Sequence, residues 1–146
     1  MCVFTWANVV RPAHDFTWQG AGRATSLRSL KGQPVVLLIA KSDRVGAFKS
    51  QVNKLKELYQ NFASRKVVFV AAFEEGEGTV KSDIPFAIAA NGSKVAADYG
   101  VSDPFNIVII GKDGNIDLQT PKVIPASRVR DVLINSFVVQ AGERKR

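Results

Sequence analysis

The chain has 146 residues, 46% of them hydrophobic and 23% charged, with a net charge of +7. Such a chain fits one globular domain able to bury about two-thirds of its surface, and the composition excludes intrinsic disorder and a coiled coil. The single cysteine, Cys2, and the single histidine, His14, exclude an internal disulfide, a dithiol centre, a thiolate zinc site and a His-rich metal cluster.

No apolar run approaches the roughly 20 residues that cross a bilayer. The longest, Pro34 to Ala40, is strand-sized. Met1 to Val10 lacks the basic and apolar regions of a signal peptide. A cytoplasmic chain, or an exported one whose leader has been removed, satisfies that observation equally. Cys2 directly after Met1 fits either a mature lipoprotein end or an exposed thiol without a role. Arg144, Lys145 and Arg146 concentrate positive charge at the other end, where a solvated tail is the simplest reading. Nucleic acid is not expected as a partner, because Trp6, Trp18 and Tyr99 are not interleaved with basic runs. The expected division is a tail over 1–11, one domain over 12–140 and a basic tail over 141–146.

In chain order, Asp15 to Gln19 reads as a short strand, Gly20 and Gly22 as a turn, and Ser26 to Leu30 as a helical turn. Pro34 to Ala40 is continuously apolar, the pattern of a strand covered on both faces. Ser42 or Asp43 can cap a long helix from Gly46 to Ser64. In that helix Phe48, Val52, Leu55, Tyr59 and Phe62 form one apolar stripe, with Lys49, Lys54, Lys56 and Glu57 opposite. Lys66 to Phe73 is a second buried strand, and Glu74 to Asp83 a surface loop.

Ile84 to Ala90 reads as a third short strand, Asn91-Gly92 as a turn, and Ser93 to Tyr99 as a helix stopped by Gly100. Asn106 to Gly111 and Asn115 to Gln119 flank Lys112-Asp113-Gly114, a hairpin signal. Ser127 to Val139 closes as a helix with Val129, Val132, Leu133, Ser136 and Phe137 on one face. Buried strands alternating with helices predict an α/β layering, a central mixed sheet flanked by helices.

These elements carry a resemblance. Pro12-Ala13-His14-Asp15-Phe16-Thr17 resembles the opening of the peroxiredoxin and thiol–disulfide oxidoreductase branch of the thioredoxin fold. The block from Ser26 to Leu37 is similar to that branch's strand-entry block. Asp98-Tyr99-Gly100-Val101, followed by Ile109 to Ile116, resembles its hairpin block. The three blocks lie in the family's order and span residues 12 to 137, which implies a thioredoxin-like three-layer sandwich.

The departure from the family bears on function. The resemblance places the family's reactive cysteines between the first buried strand and the long helix, where a helix N-terminus stabilises the thiolate. That stretch here runs from Ala40 to Ala47 without a cysteine, and the two dithiol positions fall on Arg44 and Ala47. The peroxidatic position also falls on Ala47. The family's cis-proline position falls on Phe105, with Pro104 one residue early. Thiol chemistry at the usual position is therefore excluded by composition.

Other groups offer little chemistry. Cys2 lies on the expected tail, and His14 and Asp15 point to opposite faces if they share a strand. Asp98, Asp103, Asp113 and Asp117 lack calcium-loop spacing, and Gly20, Gly22, Gly46 and Gly76 form no phosphate loop. Neither a metal nor a cofactor is expected.

What remains is the amino end of the long helix, with free N–H groups at Gly46 and Ala47 and with Lys41 and Arg44 beside it. A carboxylate, a phosphate or an acidic peptide side chain suits that position. Alternatively Ser42 or Asp43 occupies it as a cap and the groove is empty. Pro104 and Phe105 complete the candidate groove. Two functions follow as expectations: a redox-inactive module binding a protein, a peptide or a small anion there, or a redoxin-type enzyme whose chemistry has moved to groups other than cysteine.

Overall fold

The computed structural model describes residues 12–20, 23–29, 32–62, 67–75, 78–80, 82 and 84–134. Cys2 and both expected tails lie outside these residues. The elements are β1 (Thr17–Gly20), β2 (Arg23–Ser26), a 3-10 turn (Leu27–Ser29), β3 (Val35–Ala40), α1 (Gly46–Phe62) and β4 (Val68–Phe73). They continue as β5 (Ala87–Ile88), α2 (Gly92–Asp98), β6 (Phe105–Ile110) and β7 (Ile116–Thr120). Residues 126–134 are helical and form α3.

Five strands make one mixed sheet in the order β5-β4-β3-β6-β7. β3 runs parallel to β4 and antiparallel to β6, so the two most apolar segments lie at its centre. All six residues of β3 are buried because both faces of the sheet are covered. Val36, Leu38 and Ala40 face a cluster with Phe48, Val52, Leu55 and Leu58 of α1 and Val129 and Leu133 of α3. Val35, Leu37 and Ile39 face the opposite cluster, which Phe16, Trp18, Val95, Ala96 and Tyr99 complete. The result is the expected α/β sandwich.

The stripe on α1 is core, as its spacing predicts, and Tyr59 sets its ring edge-on to Phe69 at 5.9 Å. Phe62 and Glu57 fall outside the described side chains. Lys49, Lys54 and Lys56 are exposed. One polar residue joins the buried face. Gln51 is 0% exposed, donates through Nε2 to the Ile124 carbonyl and accepts at Oε1 from the Ile124 amide, both at 2.9 Å. This amide satisfies a main chain that has left the sheet, and it ties α1 to the connection before α3.

Three expectations change. The turn after β1 is followed by a second strand, β2, paired antiparallel with it from Thr17↔Ser26 to Gly20↔Arg23. β1 also starts at Thr17 rather than Asp15, whose carboxylate instead accepts the Arg28 amide at 3.0 Å. The strand expected over Ile84 to Ala90 shrinks to Ala87–Ile88. Pro85 has no N–H to give a ladder, and the Phe86 amide turns back to the Ile84 carbonyl at 2.8 Å.

Two tight turns hold the sheet's connections. Asn91 adopts the left-handed conformation at φ 55° and accepts the Lys94 amide at the start of α2. Gly92 follows because a Cβ there would collide with the Phe73 carbonyl oxygen. In the β6–β7 hairpin Gly114 takes φ 84°, and the Asp113 carboxylate accepts from the Asn115 amide at 3.1 Å.

Candidate functional site

The candidate residues gather where β3 and β4 end and α1 begins. The main chain of Lys41 is held on both sides: its amide donates to the Pro104 carbonyl at 3.0 Å, and its carbonyl accepts from the Glu75 amide at 2.9 Å. Its side chain is left exposed. A turn at 42–45 then carries the chain into α1, with the Ser42 hydroxyl accepting the Arg44 amide at 3.2 Å. The first helical bond runs from the Lys49 amide to the Val45 carbonyl at 3.2 Å, so Val45 occupies the cap position.

Neither expected cap is used as a cap. Ser42 is spent within its own turn, and the Asp43 carboxylate reaches across the chain to accept the Thr79 amide at 3.0 Å. Valine has no side-chain acceptor, so no side chain among the described residues caps the opening amides of α1. Gly46 is exposed and Ala47 half-buried at this turn.

Arg44 is exposed, and among the described residues its guanidinium has no ion-pair partner. Pro104 is exposed and contributes its carbonyl to the Lys41 bond. Phe105 departs from its expected place. It is 1% exposed and pairs with Ala40 across the sheet, so its ring belongs to the core beneath the groove rather than to its wall. Strand alternation decides this, because Phe105 faces the α1 side together with Ile107 and Ile109. No peptide bond among the described residues is cis.

Two clefts flank the Asp43–Arg44 pair. One, of about 420 Å³, runs between α1 and the segment 79–80 and is lined by Asp43, Arg44, Phe48, Lys49, Val52, Asn53, Thr79 and Val80. The other, of about 350 Å³, opens between the 42–44 turn and the end of β4, beside Glu75 and Gly78. The candidate set omits Lys49, Asn53, Thr79 and Val80. Helical period places Lys49 and Asn53 on a solvated face, and the loop is brought against them by the bond from Thr79 to Asp43 and by the packing of Val80 on the core.

The remaining polar groups do not assemble chemistry. His14 is exposed with its ring edge-on to Tyr99, and Asp15 turns to Arg28, so the two form no dyad. Asn106 is buried, with no hydrogen-bond partner for its side-chain oxygen, on the opposite face of the sheet from Phe105. Among the described residues, no group of three or more His, Cys, Asp or Glu could hold a metal ion. None of their helices is long and apolar enough to cross a membrane.

A central mixed sheet, with α1 springing from the end of β3 and a terminal β6–β7 hairpin, defines the thioredoxin-like fold. The chain belongs to the AhpC/TSA family, which it matches over residues 9–119. Among solved structures it is similar to a chain described as a thiol:disulfide interchange protein DsbE from Chlorobium tepidum. The TM-score is 0.71 at 17% identity over 87% of this chain and 96% of that one. It is also similar to thioredoxin peroxidase I of Plasmodium yoelii, with TM-score 0.67 at 17% identity over 92% of each chain. For peroxidoxin BcpB of Mycobacterium tuberculosis the TM-score is 0.64 at 15% identity, over 89% of this chain and 96% of that one. At these identities the likeness speaks to fold. No curated protein matches the chain.

Proposed function

We propose that this protein is a redox-inactive member of its family that binds an anionic group through the cleft region at the amino end of α1. The reading rests on one observation above the others. The family resemblance assigns the thiol positions to Arg44 and Ala47, and the exposed Arg44 lines both clefts. A guanidinium beside uncapped helix amides suits a carboxylate or phosphate, either on a small molecule or on a partner's acidic side chain. The helix dipole alone contributes ~0.3–1 kcal/mol, so the basic side chain supplies most of the affinity. Lys41, three residues before Arg44, is exposed but lines neither cleft.

Two measurements test this. The protein should neither reduce insulin disulfides nor consume peroxide with a thiol donor, and turnover that persists in Cys2→Ser would overturn the redox part. Thermal melts at constant ionic strength in formate, acetate or phosphate should show Tm rising with at least one anion. The rise should vanish in Arg44→Ala. Melts indifferent to every anion would remove the binding part.

A further inference from the structure

We infer that the larger cleft, between α1 and the segment 79–80, selects a monocarboxylate carried on an apolar body in preference to a phosphate dianion. This inference rests on the proposed anion binding at Arg44 and narrows it to one ligand chemistry. Its volume of about 420 Å³ lies in the range of small-molecule sites.

Three features of the lining point the same way. The floor is apolar: Phe48 and Val52 stand one helical turn apart on α1, and Val80 faces them from the loop. The rim is basic: Arg44 lies at one end, and the exposed Lys49 stands beside that floor. Neither cation has an ion-pair partner among the described residues. The third feature is Asp43, whose carboxylate is held in the wall by the Thr79 amide and cannot swing away without breaking that bond.

Two cations against one fixed carboxylate leave the lining with a single net positive charge. A monoanion neutralises that charge. A dianion would leave an excess negative charge beside Asp43, whose fixed carboxylate repels it. The apolar floor adds a gain for each methylene covered, which inorganic phosphate and acetate cannot collect.

The test is an amide-resolved NMR titration of the full chain at pH 8 with hexanoate, acetate and inorganic phosphate at matched ionic strength. Hexanoate should shift the amides of Lys49, Thr79 and Val80 and bind about tenfold or more tightly than acetate. Phosphate should bind more weakly than hexanoate. Lys49→Gln, an exposed change, should weaken hexanoate severalfold. Asp43→Asn keeps an acceptor for Thr79 while removing the charge, and it should improve phosphate binding more than hexanoate binding.

Phosphate binding that depends on Arg44 but exceeds hexanoate binding would overturn this inference and leave the proposed function standing. Equal affinity for acetate and hexanoate would do the same. Absence of binding by all three anions would remove both readings. Preserved dispersion of the amide spectrum confirms in each variant that the fold is intact.

Discussion

Asp43 accepts a hydrogen bond from the main-chain amide of Thr79, which lies 36 residues further along the chain, at 3.0 Å. That bond ties the segment 79–80, which lines the larger cleft, to the turn before α1. It engages the carboxylate away from the helix end, where Val45, a residue with no side-chain acceptor, occupies the cap position before Gly46.

Replacing Asp43 by Ala should free the segment 78–80. The bond is solvent-exposed, so the expected loss of stability is small, ~0.5–1 kcal/mol. Hydrogen exchange at the Thr79 amide should speed up in Asp43→Ala and stay slow in Asp43→Asn. Equal protection in both variants would show that the loop is held by something else.

Gln51 is a stronger case because it is buried and bonded twice to Ile124. Gln51→Leu keeps the volume but strands both main-chain groups of Ile124, so ~2–4 kcal/mol should be lost. Urea unfolding measures this, with the midpoint moving and the slope unchanged. A change below about 1 kcal/mol would mean that water replaces the amide.

The central packing gives a simpler expectation. Leu38 in β3 and Phe48 in α1 are both buried in the cluster between the sheet and α1, with Phe48 edge-on to Phe73 at 5.1 Å. Leu38→Ala and Phe48→Ala should each cost ~2–5 kcal/mol, the range for cavities in a core that cannot fully relax. Phe48 also lines the larger cleft, so its replacement should weaken ligand binding as well as stability.

Two glycines should respond oppositely to alanine. Gly92→Ala drives a methyl into the Phe73 carbonyl, a main-chain group with no rotamer to yield, and should cost ~1–3 kcal/mol or more. Gly46 has open space around its Cβ position and a helical conformation. Gly46→Ala should be neutral or stabilising by up to ~1 kcal/mol. Paired thermal melts distinguish the two.

Tyr99 should contribute to the loss of stability at alkaline pH. Burial, and after it the Asp15 carboxylate, pushes its phenol well above the ordinary value. The folded state keeps the proton after the unfolded state has released it near pH ~10, so the stabilisation is complete below that pH and lost as pH rises beyond it. The Tyr99 share of that slope is at most ~1.4 kcal/mol per pH unit. Tyr99→Phe should flatten the alkaline limb of the stability curve by up to that amount. An unchanged limb would show that other groups carry it.

Much of this architecture is legible in sequence because its causes are local. Continuous apolarity over Val35–Ala40, the stripe of α1 and the turn chemistry around Gly114 each express the backbone and side-chain geometry of a few neighbouring residues. The absence of cysteine between Ala40 and Ala47 is equally local, since it needs only the residue types present. What tertiary structure alone decides is partnership over distance. Asp43 is as good a helix cap as any aspartate until the loop after β4 brings the Thr79 amide within reach. Gln51 is a polar side chain on the buried face of α1, and its partner is the Ile124 main chain 73 residues along the chain. Phe105 could wall a groove until pairing with Ala40 turns its ring inward. Spacing along a chain specifies which face a side chain takes, but a polar group's partner is chosen by whichever donor or acceptor the packed chain places there.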